Sequence, residues 1–491
     1  MKALLLCVCL LASRPVLADE ISIHRMLTDG KILELAGTRP ITSRNPGGVA
    51  SPSISPDGKL IAYADADPDA YGRVRLARVS DGQSSVVLAV SPNIRDEGFV
   101  GELWEPEVSL ANIAWSPDGK LFAVPVSHVT VGKGGSPVEF GIAVYKSTGA
   151  RQTYFPLKDS GRPSGTLLWS PDSRRLACTS SIRRPEPRHD LLALDVSTGL
   201  VNVLLSRPVL VSPVLWARDG KTLQYTTQDG GKLQLREISI EDKSDQVVQA
   251  EYADNMLSPD RVFELIGPGI SIKNHLTGVI TEVIKTSPGQ VLGWAPNSKM
   301  IVYQRSIEIE DEIGRRKRIL NMTWLAATEA NPLNHMCATF DSENGELPTW
   351  SKDCLKMAYL CDGSVCIAEF ALRDPTVYEK LAAGIPLTEE EEKDVLMDNA
   401  KQIGAAMSMY ASDNEGRFPS ADSYSQDLMD YLRGANLFNR PGTDDMAFQY
   451  TSLGPMTDIR NPATTIMGSF DVGYQWKIIL YADGHVQIVP K

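Results

Sequence analysis

A twelve-residue pattern recurs seven times through the first three quarters of the chain, and no other feature restricts the fold as strongly. SISPDGKLIAYA (53–64), AWSPDGKLFAVP (114–125), LWSPDSRRLACT (168–179), LWARDGKTLQYT (215–226), GWAPNSKMIVYQ (293–304) and TWSKDCLKMAYL (349–360) share one template, and MLSPDRVFELIG (256–267) is a worn copy. The anchor positions are Ile54, Trp115, Trp169, Trp216, Leu257, Trp294 and Trp350, separated by 61, 54, 47, 41, 37 and 56 residues. Five of the eight tryptophans therefore hold one structural position. A recurrence of this length marks an array of supersecondary units, each burying its apolar face against a neighbour.

Each copy reads as strand, tight turn, strand. Asp57-Gly58, Asp118-Gly119 and Asp219-Gly220 supply turn chemistry, because Asp bonds its own backbone and Gly accepts positive φ. Nine residues past each anchor stands Tyr63, Val124, Cys178, Tyr225, Ile266, Tyr303 or Tyr359, a fixed offset expected of a strand residue packing on the next sheet. Further β-rich pairs follow, such as RVRLARVSDGQSSVVLAV and DLLALDVSTGLVNVLL. Four strands per unit predict an all-β propeller. Seven anchors predict seven blades, with six and eight as the alternatives left open by the eroded turns. The last copy has only three strands before Asp374, so the N-terminal ISIHRML and KILELAG segments are expected to supply its missing outer strand and remove the exposed sheet edges.

The W-S-P-D-G-K pattern followed by an I-A-Y-like strand resembles the TolB-type Pro-Asp propeller repeat of exported bacterial proteins, over roughly residues 20–373. Export is also read from the N-terminus. MKALLLCVCLLASRPVLADE has a positive start, a short apolar run from Ala3 to Ala12 and a V-L-A ending at Ala18, the pattern of a signal peptide over residues 1–18. No later stretch is apolar enough to span a bilayer, so the expectation is an exported protein, periplasmic or extracellular, with no membrane span after signal removal. With 49 Lys and Arg against 61 Asp and Glu, the net charge is −12, which argues against nucleic acid as a partner.

From Asp374 the composition changes, giving a propeller over 19–373 and a small α+β domain over 374–491. Thr388 with Glu391 forms a capping box, and Leu396, Ala400, Ile403, Met407 and Tyr410 fall at helical spacing, predicting a helix of about 23 residues. A second helix is expected over SQDLMDYLRGANLF, then a hairpin in WKIILYADGHVQIV turning at Asp483-Gly484. DNAKQIGAAMSMYASDNEGRFP (398–419) and ILYADGHVQIV (479–489) resemble the soluble head of pseudopilin-like proteins. That family commonly has a His ten residues before its Asp-Gly, where this chain has Gly473, and its apolar half-helix is replaced here by TEEEEK. The resemblance therefore implies a docking or packing module that does not polymerise.

Candidate chemistry is sparse. There is no G-x-S-x-G elbow, and the residues after the propeller are too few for an α/β-hydrolase domain. DADPDAYG (65–72) alternates carboxylates but lacks the Gly and Glu of a Ca²⁺ loop, and reads as an acidic solvated loop. His128, His189, His275 and His335 lie at four different offsets from their anchors and read as scattered surface residues. No catalytic, cofactor-binding or metal-binding set emerges. The residues singled out are structural, Trp115, Trp169, Trp216, Trp294 and Trp350, together with Cys361 and Cys366. The two cysteines flank D-G-S-V, and a four-residue loop would place them opposite each other for a disulfide. The function expected is non-enzymatic: an exported binding or scaffold protein holding a cell-envelope protein, peptide or glycan. The alternative is a propeller lyase or hydrolase acting on a polysaccharide through a bound metal. Ligand identity and oligomeric state are not encoded in any recognisable motif.

Overall fold

The computed structural model describes residues 24–491 apart from 46–47, 67–71, 90–100, 107–111, 132–137, 158–159, 183–186, 210, 230, 250–256, 261, 267–269, 285–289, 311–316, 329–332, 334, 340–347 and 433–434. The chain separates into two compact units, the second comprising Asp374–Lys491 and the short segment Asn331–Leu333. The leader expected over residues 1–18 lies outside the described residues.

Seven antiparallel sheets occur among the described residues of the first unit. The first sheet is Val49–Ile54, Leu60–Ala66, Gly72–Arg78 and Ser84–Ala89, in that order from one edge to the other. The third (162–207), fourth (211–249) and sixth (290–339) repeat this plan of four sequential strands. The fifth has three strands within 263–284, and Leu257 joins it by an isolated bridge to Glu264. Each anchor pairs with the residue seven positions later: Ile54 with Ile61, Trp115 with Phe122, Trp169 with Leu176, Trp216 with Leu223, Leu257 with Glu264, Trp294 with Ile301 and Trp350 with Met357. The worn copy at Leu257 thus keeps the register of the intact ones. Sequential sheets of this kind, each packing its apolar faces on the next, make an all-β propeller.

The seventh sheet closes the ring. Its own strands are Thr349–Trp350, Lys356–Cys361 and Ser364–Arg373, and Lys31–Pro40 pairs with the last of these, followed by Arg25–Thr28. Both N-terminal segments therefore join, giving five strands where one extra was required. Chain ends held in one sheet cannot fray separately without breaking that sheet.

The turn after each anchor is a small hydrogen-bonded knot. Ser55 Oγ donates to Asp57 Oδ1 at 2.7 Å, and Asp57 in turn accepts from the Lys59 amide at 3.1 Å. The same Ser-Asp bond recurs at Ser116–Asp118, Ser170–Asp172, Ser258–Asp260 and Ser351–Asp353, at 2.6–2.7 Å. The fourth turn position is left-handed in all six copies where it is described: φ is +68° at Gly58, +71° at Gly119 and +65° at Gly220, but also +60° at Ser173, +59° at Ser298 and +58° at Cys354. What looked like erosion of the Asp-Gly turn preserves its backbone. Ser173 Oγ and Ser298 Oγ accept the amides of Asp118 (3.1 Å) and Asp260 (3.0 Å) from the preceding sheet. The Asn297 amide likewise donates to the Cys354 sulfur. A side chain in this position costs conformational strain and returns a bond across the sheet junction.

In the second unit, α1 (Val377–Ala382) and α2 (Glu389–Asp413) precede a four-stranded sheet ending in the hairpin Trp476–Tyr481 and Val486–Pro490. Helix α2 starts at the expected Thr388 capping box, and Leu396, Ala400, Ile403 and Met407 are buried against Phe448, Phe470, Ile478 and Leu480. The α1 helix has its own capping box, Thr376 with Glu379, which the sequence signals by T-V-Y-E. The second helix expected from SQDLMDYLRGANLF is replaced by one turn at Tyr424–Asp427 and a 3-10 turn at Ala435–Phe438. Asp427, Asp430 and Gly434 are poor helix formers, and the segment instead sinks Tyr424, Leu428 and Phe438 into the core individually.

Candidate functional site

The inner edge of each blade is the strand that carries the anchor, and the anchors fix those edges to one another. The Trp115 indole N–H donates to the Ser53 carbonyl, Trp169 to Ala114 and Trp216 to Leu168, each at 2.9 Å. In every case the acceptor is the residue before the previous anchor, so one rule repeated three times sets the spacing of neighbouring inner strands. Trp294 and Trp350 are placed alike, yet their indole nitrogens are enclosed with no acceptor among the described residues. At the closing junction, where Ile54 has no indole, Thr349 Oγ1 donates to the Pro52 carbonyl (3.0 Å) and accepts the Ile54 amide (3.1 Å).

Beyond the anchors, the inner strands are broken at a common level. In the first sheet Ala50 pairs with Ala64 and Ser53 with Ala62, so Ser51 and Pro52 face Tyr63 alone. In the third, Gly165, Thr166 and Leu167 lie across from Cys178, and Gly165 and Thr166 are exposed. The fourth and sixth sheets carry one extra residue, Val214 and Leu292, beside Tyr225 and Tyr303. In the second, Gly101–Pro106 and Ala114–Trp115 pair with different parts of Leu121–Val131. Tyr63, Val124, Cys178, Tyr225 and Tyr303 are the residues nine past the anchor. The offset read as a packing position therefore also marks where the inner strand leaves its ladder. A bulge leaves amide and carbonyl groups without ladder partners and re-aims the strand. Pro52, Pro106 and Pro213 stand at these breaks, as edge strands and bulges permit. The result is an inner wall offering uncharged backbone donors and acceptors from several blades at one height.

The same end of the third and fourth sheets is rich in enclosed polar side chains. Ser180, Asp190 and Ser206 are successive cross-strand neighbours. Asp190, 1% exposed, accepts from Ser206 Oγ at 2.5 Å and lies 3.4 Å from Arg188 Nε. Ser164, Ser180 and Thr227 have enclosed hydroxyls with no partner among the described residues, an arrangement that costs stability unless solvent or ligand satisfies it. In the fourth sheet Tyr225 donates to Asp245 (2.9 Å), which also holds Arg236 at 3.0 Å. Burial first, then this bond to a carboxylate, pushes the Tyr225 phenol up to about 12, so it remains a neutral donor.

The residues singled out for chemistry disperse. His128 lies in the second sheet near Glu139 (3.7 Å), His189 in the third, and His275 beside Glu264 (3.2 Å) in the fifth. The His335 side chain lies outside the described residues. Among the described residues no three His, Cys, Asp or Glu side chains are grouped to hold a metal ion. Asp65, read as part of a solvated acidic loop, is instead 8% exposed and bound by Arg73 and Arg75 at 3.0 Å each. Residues 67–71 of that loop lie outside the described residues.

The cysteine geometry also differs from expectation. The hairpin turns through Asp362-Gly363 alone, with φ of +48° and +69°, so Cys361 pairs with Ser364 and Cys366 with Tyr359. An Asp-Gly pair favours this two-residue turn over the four-residue loop, and it shifts the ladder so that the two cysteines stand diagonally, two positions apart. Both are free thiols in the structure. A hydrogen bond with Cys361, then burial, holds the Cys366 thiol well above the ordinary range.

No helix among the described residues is long and apolar enough to cross a membrane. No family model matches the chain, and no curated protein matches it. Among solved structures it is similar to an oligogalacturonate lyase from Vibrio parahaemolyticus, at 14% identity and a TM-score of 0.43, over 70% of this chain and 98% of that one. TolB from Acinetobacter baumannii is 17% identical with a TM-score of 0.31, over 65% of this chain and 66% of that one. An acylaminoacyl peptidase from Pyrococcus horikoshii is 12% identical with a TM-score of 0.39, over 67% and 51%. The propeller assignment rests on the sheet order and register of this chain.

Proposed function

We propose that this chain is an exported, non-enzymatic binding or scaffold protein whose seven-bladed propeller receives a polar, extended ligand in its axial opening. The ligand class is a cell-envelope protein segment, peptide or glycan, and the second unit serves as a pseudopilin-like docking module. The observation that carries this reading is the set of inner-strand breaks at one level, which turns ladder groups of several blades into uncharged hydrogen-bonding sites. Backbone amides and carbonyls match the alternating donors and acceptors of an extended peptide or a sugar chain, and they demand no charge on the ligand. The metal-dependent lyase or hydrolase reading needs several histidines brought to one point, and His128, His189 and His275 belong to different sheets.

Thr166 is exposed within the widest described break, so Thr166→Trp introduces bulk at the opening without disturbing an anchor. Peptide and glycan arrays probed with the full chain and with this variant test the reading. A ligand retained by the wild type and lost by a variant with unchanged melting supports it, and binding indifferent to the substitution removes the opening as the site. Elemental analysis of the purified full chain separates the enzymatic alternative. Stoichiometric transition metal would sink the scaffold reading.

A further inference from the structure

We propose that the second unit contains a separate binding site for an extended peptide segment bearing a branched aliphatic side chain. The site is a cleft of about 450 Å³ between α1, the first half of α2 and the turn at residues 440–444. Leu381, Val395, Leu437 and Pro441 supply its aliphatic lining, beside the polar Asn436, Thr443 and Asp444. Within that lining stands Asn399, an α2 residue on the buried face of the helix and only 7% exposed. Its carboxamide makes no hydrogen bond among the described residues, although it lines the cleft.

A helix position facing inward would ordinarily take an apolar residue, and here an amide bonded to no other described residue is presented to the cleft. The carboxamide presents one acceptor and two donors in a plane, the complement of a peptide group's N–H and C=O. The aliphatic lining then accepts the adjoining side chain. The cation in the lining is committed, since Arg440 Nε and Nη2 donate to Glu392 at 2.8 and 3.2 Å, while Asp444 adds one carboxylate to the lining. That pair also braces the turn forming one wall, where Gly442 has φ of +76° and a Cβ would come within 3.4 Å of Leu381. A saccharide would leave the aliphatic lining facing hydroxyls, so the peptide is favoured.

The test is saturation-transfer difference NMR on the full chain with N-acetyl-leucine N′-methylamide, its glycine analogue and methyl glucoside as probes. The expected result is transfer strongest at the leucine methyls, about fivefold weaker for the glycine analogue, and about fivefold lower in Asn399→Leu and Asn399→Asp. Melting of Asn399→Leu is expected to stay near the wild-type temperature, since the amide bonds no other described residue. Leucine-probe transfer that is absent in the wild type or unchanged in both variants overturns the proposal. So does methyl glucoside transfer that is lost on substitution, which would make the cleft a sugar site. A lowered melting temperature in Asn399→Leu also overturns it, because the amide would then be serving the fold.

Discussion

Replacing Trp169 and Trp350 separately by Phe isolates the indole hydrogen bond from the packing around it. Both residues occupy the same repeat position and are similarly buried, at 6% and 9% exposure. Trp169 donates to the Ala114 carbonyl at 2.9 Å, whereas the Trp350 nitrogen is enclosed with no acceptor among the described residues. Trp→Phe removes about 40 Å³, which at roughly 24 cal/mol per Å³ of residual cavity costs each variant about 1 kcal/mol. Trp169→Phe also loses a bond to a buried carbonyl, adding about 1–3 kcal/mol, for a total of about 2–4 kcal/mol. Trp350→Phe instead removes a desolvated donor, which returns about 1–3 kcal/mol and brings its net effect to zero or slight stabilisation. The ring contact between Trp350 and Phe370, 5.8 Å between centroids, can be kept by Phe. Urea unfolding of the full chain, followed by a propeller-specific fluorescence change at constant m-value, reads the difference as a shift of midpoint. With m near 3 kcal/mol/M, a 2 kcal/mol gap is about 0.7 M. Equal shifts in the two variants would show that the anchor position contributes packing alone and that the repeated indole bond fastens nothing.

The left-handed turn position gives a second contrast. Gly58→Ala must hold φ of +68° and bring Cβ to 3.0 Å from Lys356, and is expected to lose about 1–2 kcal/mol, while Ser173→Gly exchanges relief of strain for loss of the Asp118 bond and should change stability by less than about 0.5 kcal/mol; comparable losses would refute the assignment. Stability below pH 4 provides a third. At Asp57, Asp118 and Asp172 partial burial raises the carboxyl, but the serine bond, the backbone amide and the neighbouring cation outweigh it and leave each below its usual 3.8. Folded values lower than unfolded ones mean a contribution present above about pH 4 and lost as pH falls through the folded values, so the combined Ser55→Ala, Ser116→Ala and Ser170→Ala variant should show a shallower decline of midpoint below pH 4 than wild type. Finally, Cys361 and Cys366 should both be alkylated after denaturation without reductant, as peptide mapping by mass will show; a linked peptide would instead mean that the hairpin relaxes to join its diagonal thiols.

The parts of this fold that periodicity controls were legible. Anchor spacing located the strand pairs, including the worn copy whose Leu257 still bridges Glu264, and Thr388 with Glu391 located the start of α2. The candidate site was not legible, because a bulge is an event in hydrogen-bond register and leaves side-chain alternation nearly intact. Its compositional traces were Gly165 and Gly293, with φ of +73° and +154°, and the prolines at 52, 106 and 213. The tyrosines at the ninth position were seen as core, and their place beside the breaks required the pairing partner to be known. The Cys361–Cys366 geometry went astray for a related reason: Asp362-Gly363 was read as half of a loop when it was the whole turn. Asn399 gave no signal at all, since its lack of a partner depends on residues 18 to 45 positions away.

The ring is fastened by two devices, an indole bond from the anchor and a side-chain bond from the left-handed turn position. Between the first four sheets the indoles of Trp115, Trp169 and Trp216 bind the preceding inner strand. Where the indoles of Trp294 and Trp350 find no acceptor among the described residues, Ser298 and Cys354 at the left-handed position take up the amides of Asp260 and Asn297. At the closing junction neither device is present. There Thr349 bonds both Pro52 and Ile54, the Lys352 amide donates to Pro56 and Lys356 Nζ to the Gly58 carbonyl. The two devices also coexist, since Ser173 accepts the Asp118 amide at the junction where the Trp169 indole bonds Ala114. A Ser or Cys in place of the turn glycine accepts about 1 kcal/mol of backbone strain, and that cost is offset where the side chain supplies a bond across the junction. In all three described copies where Ser or Cys replaces the turn glycine, the new side chain bonds across the sheet junction.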